Sequence, residues 1–327
     1  MSLSTDRLYS LTSAGRFTEA AFEIFRRQSK ENPVYREYLG ALGKDPRKVT
    51  TLEEIPCLPV SFFRTRTLIT GHHTARLVFA SSGTTGQPSS QHFITHPELY
   101  DRVLTATFTH FYGPPADYCI LALLPSYLER KNSSLVYMME KLIMLGGHPH
   151  SGFFLNNTDD LVSRLEQLER QGLKTLLFGV SFALYDLAVQ YPMKLKNTII
   201  METGGMKGRR KEITRNELHA MLKKAFSVKT IHSEYGMTEL LSQAYSKGEG
   251  IYFTPPTMRV LIRDSYDPFS YLPAGQTGGI NIIDLANMHS CSFVETEDLG
   301  KMHPDGGFEV LGRFDQSEVR GCNLMIE

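Results

Sequence analysis

The sequence predicts an α/β protein in two parts: a layered α/β body over residues 1–250 and a β-rich subdomain over residues 251–327. Two observations lead there. Up to about residue 250, short apolar runs alternate with stretches of helical length and periodicity, the pattern of a mostly parallel sheet covered by helices. After that point glycine and proline become frequent, and strand-like runs follow one another without long helices between them. At roughly 100–200 residues per domain, 327 residues suit about two such parts.

The elements follow in order. Residues 13–30 place Phe17, Ala20, Ala21, Ile24 and Phe25 at helical spacing, and Asn32-Pro33 ends that pattern. Apolar runs bounded by turn residues come next, at Leu77 to Ala80, Cys119 to Leu124, Thr175 to Gly179, Thr198 to Met201 and Thr230 to His232. They are strand-sized and do not alternate, as expected of strands buried on both faces. Helix-like stretches occupy 97–111, 133–145, 158–170, 181–190 and 213–226, with Ser181 a candidate N-cap for the fourth. The β-rich part contributes runs at Met258 to Ile262, Gly279 to Ile283 and Ser292 to Glu295.

Composition excludes several classes of function. Lys plus Arg and Asp plus Glu balance at 35 each, so no net charge points to nucleic acid or a membrane surface. No apolar run approaches the roughly 18–20 residues of a membrane span, and Met1 to Phe17 lacks the apolar core of a signal peptide. Cys57, Cys119, Cys291 and Cys322 are far apart, which suggests reduced thiols and a cytoplasmic location. None of the eleven histidines shows ligand spacing; His72-His73 and the pair His148 and His150 read as polar loops.

Five short segments carry chemistry. Ser81-Ser82-Gly83-Thr84-Thr85-Gly86-Gln87-Pro88-Ser89 follows the Leu77 to Ala80 strand. Its glycines permit close backbone approach, and its N–H and hydroxyl groups offer converging donors to phosphate oxygens. It is equally readable as a polar surface loop, and it lacks the Gly-Lys-Ser/Thr ending of a Walker A loop. In Ser233-Glu234-Tyr235-Gly236-Met237-Thr238-Glu239, Tyr235 can stack on a purine and Glu239 can ligate Mg²⁺ on a triphosphate. Thr238 as a helix N-cap, with Glu239 at the positive helix end, explains the same residues without a ligand. Thr203-Gly204-Gly205-Met206-Lys207 places glycines after a strand, where open α/β sheets bind ligands, or forms an ordinary turn. Asp298 in Thr296-Glu297-Asp298-Leu299-Gly300 can accept from both ribose hydroxyls, and Gly312-Arg313-Phe314-Asp315 closes the series; each also reads as a turn.

Taken in chain order, the segments resemble the superfamily of acyl-CoA synthetases, peptide-synthetase adenylation domains and firefly luciferase, from about residue 77 to the end. The resemblance implies the layered α/β N-terminal region of adenylate-forming enzymes with a β-barrel-like subdomain. It also implies ATP and Mg²⁺. Ser81, Ser82, Gly83, Thr84, Thr85 and Gly86 would hold the β- and γ-phosphates, and Gly204, Gly205 and Met206 would line the adenine. Tyr235 would stack on that base beside Gly236, Thr238 and Glu239 would handle phosphate and metal, and Asp298 would take the ribose. Arg313 would approach the nucleotide, with Asp315 at a hinge.

Two features depart from the superfamily pattern. Ser89 stands where a lysine is common, and only twelve residues follow Asp315. The expectation is therefore that the small C-terminal domain of roughly 100 residues, with its catalytic lysine, is absent. Lys207, Arg209, Arg210 or Arg313 would then supply positive charge to the α-phosphate, with Arg313 preferred because its counterpart already approaches the nucleotide; Arg209 and Arg210 read more simply as a solvated basic cluster after a turn. The chain further resembles the acyl-protein synthetases of bacterial bioluminescence operons, the long-chain-fatty-acid–luciferin-component ligases. That likeness rests on Ser126-Tyr127-Leu128-Glu129-Arg130-Lys131-Asn132-Ser133-Ser134-Leu135, on Phe178-Gly179-Val180-Ser181-Phe182 and on Arg320-Gly321-Cys322-Asn323-Leu324. It implies activation of a fatty acid as acyl-AMP, acylation of Cys322 and transfer to an acyl-accepting protein such as a fatty-acid reductase. A compact acyl- or aryl-CoA ligase and a nucleotide- or acyl-binding module without turnover are the alternatives. Tyr127, Met138, Phe178 and Phe182 line an apolar pocket in this reading, or belong to the core.

Overall fold

The computed structural model describes residue 8 and residues 14–81, 89–125, 132–155, 157–204 and 213–314. The first elements are α1 (Ala14–Glu31), α2 (Pro33–Ala41), β1 (Leu58–Pro59) and the single turn α3 (Phe62–Thr65). Next come β2 (Leu77–Ala80), β3 (Gln91–Ile94), α4 (Pro97–Tyr112), β4 (Cys119–Leu123), α5 (Ser134–Gly146), β5 (Gly152–Phe154) and α6 (Thr158–Gln171). They are followed by β6 (Thr175–Val180), α7 (Ser181–Gln190), β7 (Thr198–Thr203), α8 (Arg215–Phe226), β8 (His232–Tyr235), β9 (Ala244–Ser246) and β10 (Ile251–Tyr252). The last four are β11 (Met258–Arg263), β12 (Thr277–Asp284), β13 (Phe293–Met302) and β14 (Phe308–Arg313).

The chain divides into two compact units, one joining Met1–Ala75 to Pro256–Glu327 and the other spanning Arg76–Pro255. A division at residue 250 places the first 75 residues with the α/β body; their contacts place them on the β-rich sheet. Gln28, fully buried on α1, shows why. Its amide donates to Asn287 O (3.1 Å) and Ser290 O (3.2 Å), and it accepts from Ser292 N–H (3.0 Å). A buried amide must find such partners, and these lie more than 250 residues away in sequence. Around them the rings of Phe25 and Tyr35 pack on Phe293 at 5.8 and 6.0 Å. Asn32-Pro33 ends α1 as expected and also starts a second helix. Asn32 accepts from Tyr35 N–H as N-cap, and Pro33 takes the first position, where its missing N–H costs nothing.

In the same unit β11, β12, β13 and β14 form an antiparallel run, with β1 parallel to β13. The ladder register shifts between Gly279 and Asn281, and again between Leu299 and Gly300. At the second shift a Cβ on Gly300 would overlap Glu309 O and Ile280, so the close approach of β14 requires glycine.

The Arg76–Pro255 unit holds a sheet in the order β5-β4-β6-β7-β8-β9, parallel except for β9. Every residue of β4 and β6 is buried, which accounts for their unbroken apolar runs. β8 differs from its expected position: it runs from His232 to Tyr235 rather than from Thr230 to His232. Ser233 and Glu234 look like turn residues, yet they pair with Glu202 and Thr203 of β7 and are buried. β2 and β3 form a separate antiparallel pair joined by the segment 81–90.

Candidate active site

The parallel strands β6, β7 and β8 end together at Val180, Thr203 and Tyr235, the edge at which open α/β sheets bind ligands. Gly204 follows β7 at φ +72°, a conformation that favours glycine. Ser181 is not the N-cap of α7, a position taken by Val180 without a side-chain bond. Its hydroxyl is turned sideways instead, with Glu202 Oε2 (2.9 Å), Gly204 O (3.1 Å) and Thr203 O (3.3 Å) all within reach of its one proton. A helix start thereby holds the turn after the neighbouring strand.

Two buried carboxyls sit on this edge and escaped the reading of the sequence. Glu202 receives Arg215 Nε at 3.3 Å and lies 3.5 Å from His219 Nε2. Burial by itself raises its pKa, but the His219 bond, the Arg215 charge and the Ser233 hydroxyl outweigh that and hold the carboxyl below its ordinary value. Glu234 on the adjacent strand accepts from the Thr203 hydroxyl. Burial pushes it up to about 7; the Thr203 bond opposes this and the nearby Glu202 charge adds to it. A signal existed in the sequence, since each Glu ends or nearly ends a strand and stands two residues before a glycine.

Tyr235 closes β8, 8 % exposed, with its ring 5.9 Å from Tyr252 in an edge-on contact. At Gly236 a Cβ would overlap Glu234 Oε1, so no other residue fits without displacing that carboxyl. Thr238 and Glu239 then form a turn between β8 and β9 rather than a helix start, which removes the capping explanation for them. His92 on β3 anchors this turn through Nδ1 to Thr238 O at 2.9 Å. Burial drives His92 down to about 4 against that bond, so the imidazole is a neutral structural donor at physiological pH. Glu239 is 5 % exposed. One protein carboxylate is enough for Mg²⁺, which takes one or two protein oxygens and completes its shell with phosphate and water. Among the described residues no group of three or more His, Cys, Asp or Glu side chains can hold a metal unaided.

The phosphate-loop candidate begins at Ser81, whose N–H donates to Ser90 O (3.0 Å) and whose hydroxyl accepts from Ser90 N–H (2.9 Å). These bonds pin the two ends of the segment and leave the Ser81 hydroxyl proton to donate. Ser82, Gly83, Thr84, Thr85, Gly86, Gly205, Met206 and Cys322 lie outside the described residues, as do Tyr127, Lys207, Arg209, Arg210 and Asp315. Phe178 and Met138, alternatives for an acyl pocket or the core, are 1 % and 2 % exposed and belong to the core.

In the other unit, Asp298 and Arg313 occupy strands β13 and β14 rather than turns. They face each other in register, with Arg313 Nε 3.3 Å from Asp298 Oδ1. Asp298 N–H donates to Thr296 Oγ1 at 3.1 Å, and Glu297 takes Arg64 at 3.0 Å. Beneath them the buried Arg263 donates to Ile280 O (3.0 Å), Asn281 Oδ1 (2.9 Å) and Thr296 O (2.9 Å), bracing β12 against β13.

Comparison with known proteins agrees with this geometry. A long-chain-fatty-acid–luciferin-component ligase of Vibrio harveyi is 24 % identical over 322 residues, covering 90 % of this chain and 83 % of that protein. Among solved structures, a 2-hydroxyisobutyryl-CoA ligase in complex with 2-HIB-AMP and CoA superposes with a TM-score of 0.64 at 15 % identity, over 97 % of this chain and 72 % of that one. ATP-bound MatB from Rhodopseudomonas palustris gives 0.53 at 18 % identity over 72 % of this chain, which spans about half, 47 %, of the MatB chain. At these identities the structures show the fold, that of adenylate-forming acyl-CoA ligases. The sequence profile described as "Acyl-protein synthetase, LuxE" matches residues 12–327, and this chain belongs to that family.

Proposed function

We propose that this protein uses ATP and Mg²⁺ to activate a fatty acid as acyl-AMP and then passes the acyl group to a protein thiol. The observation that carries the proposal is the arrangement at the ends of β7 and β8. There Gly204 follows Thr203, the register partner of Glu234, and the chain after β8 bends at Gly236 and leads into Thr238 and the buried carboxyl of Glu239. A backbone bent by glycine can approach a nucleotide closely, and Thr238 offers a hydroxyl donor to phosphate. Mg²⁺ bound by Glu239 would neutralise charge on the triphosphate.

In the first step a carboxylate oxygen of the acid attacks the α-phosphorus, forming the acyl–phosphate bond while pyrophosphate leaves. In the second, a thiolate attacks the acyl carbonyl and AMP leaves. Asp298 would accept the ribose hydroxyls, and residues 81–86 the outer phosphates. Cys322 is the proposed thiol. Cys57, Cys119 and Cys291 are all buried, and burial pushes Cys57 and Cys291 up to about 12, far from a reactive thiolate. A fatty-acid reductase is the proposed acceptor from Cys322. Among the described residues no helix is long and apolar enough to cross a membrane.

The test is pyrophosphate release across a panel of carboxylic acids, with and without coenzyme A. Release with long-chain acids, independent of coenzyme A, is the expected result. Release that depends on coenzyme A would identify an acyl-CoA ligase, and no release with any acid would end the adenylation proposal.

A further inference from the structure

We infer that Glu234 is a positioning residue of the nucleotide site, its one carboxyl locking the turn after β7 to the turn after β8. The inference rests on the nucleotide site proposed above and adds how that site is held and regulated.

The geometry is specific. Oε2 accepts the hydroxyl proton of Thr203, the residue just before Gly204. Oε1 lies against Gly236, where any Cβ would displace it. Thr203 and Glu234 are register partners across β7 and β8, so the carboxyl spans the two turns without leaving its own rung of the sheet. From the opposite side the Ser181 hydroxyl lies within hydrogen-bond reach of the Gly204 and Thr203 carbonyls and of Glu202, to one of which at a time its proton is donated. The Gly204 turn is therefore clamped between a helix start and a buried acid.

The clamp also responds to protons. Glu234 faces Glu202 on β7, Tyr112 on α4, Tyr245 on β9 and Tyr252 on β10. Arg215 and His219 of α8 are directed at Glu202, and His232 on β8 bonds Tyr112. Burial holds Glu234 as a neutral acid up to about pH 7. Above that a second buried negative charge appears beside Glu202, at the turns proposed to take the nucleotide; its burial strains the clamp and its sign repels an anionic nucleotide, so both effects oppose binding.

The experiment is calorimetric titration of the whole protein with Mg·ATP between pH 6 and pH 8.5, for wild type, Glu234→Gln and Glu234→Ala. Glutamine keeps an acceptor for Thr203 and cannot ionise. Its affinity is expected within about threefold of wild type at pH 6, the scale of one conserved neutral hydrogen bond. Wild type should then lose about fivefold or more relative to Glu234→Gln at pH 8.5, a comparison in which the titration of ATP itself cancels. Glu234→Ala should bind about tenfold more weakly at pH 6, the usual cost of a lost buried hydrogen bond. If the alanine variant does not fold, as judged by circular dichroism, the pH profile of Glu234→Gln still decides. Parallel pH profiles for wild type and Glu234→Gln, or unchanged affinity in a folded Glu234→Ala, would overturn the inference. Wild type that binds ATP with the predicted profile but activates no acid would sink the adenylation proposal and leave the clamp standing. Wild type that binds no ATP at any pH ends both.

Discussion

Arg313 is held by Asp298: its Nε lies 3.3 Å from Oδ1, across a register pair of β13 and β14. The two residues expected to act separately, one on the ribose and one on the α-phosphate, are partners in this structure. The guanidinium is half exposed while the carboxylate is largely covered, so the arginine is the member free to shift. Asp298→Asn should raise the KM for ATP about tenfold, the loss of hydrogen bonds made by a charged acceptor. A double-mutant cycle with Arg313→Ala should show coupling between the two; additive losses would mean that they act independently.

Glu239 stands in a turn, so its effect cannot come from a helix dipole. Glu239→Gln should depress pyrophosphate release at least about tenfold, as expected for a lost ligand to charge, with the melting temperature nearly retained. Steady-state release at saturating Mg²⁺ measures this. Full activity would remove Glu239 from the metal role.

Thr84 and Thr85 lie in the segment whose ends Ser81 and Ser90 pin together. Replacing both with Val conserves size and removes two donors, each worth about 1.5–3 kcal/mol when its acceptor is charged. ATP affinity or turnover should fall at least tenfold. An unchanged double variant would take this loop out of the site.

Cys322→Ser separates an acyl-protein synthetase from a ligase. Incubation with ATP, Mg²⁺ and a labelled fatty acid should leave a hydroxylamine-sensitive label on wild type and none on the variant, while ATP–pyrophosphate exchange continues. Mapping of the label to Cys57, Cys119 or Cys291 would sink the assignment, and their burial makes that outcome unexpected.

Stability should also depend on Glu234. Its pKa is raised from 4.5 to about 7 on folding, so between those values the folded state holds a proton that the unfolded chain has released. That contribution is fully present below pH 4.5 and is lost as pH rises through about 7. Glu234→Gln lacks it, so the melting temperature of the variant relative to wild type should climb from pH 5 to pH 7.5. A constant difference across that range would show that Glu234 titrates normally.

The apolar runs of β4 and β6 were legible in the sequence because burial on both faces favours apolar residues along the whole strand. The order of the five chemical segments, and with it the family, was legible too, since glycines, hydroxyls and acids at fixed spacing need no tertiary context to be seen. Other features depended on partners distant along the chain. Ser233 and Glu234 read as turn residues until the register with β7 supplies Thr203 and a buried setting. Ser181 read as a helix cap until Glu202 and the Gly204 turn came within reach of its hydroxyl. The N-terminal helices joined the β-rich unit through Gln28, an amide whose partners lie more than 250 residues away. Local sequence encodes the period of burial and the conformational freedom of each residue. Which polar group meets which is set by strand register and helix docking, and so the clamp at Glu234 and the pairing of Asp298 with Arg313 were decided by the tertiary structure alone.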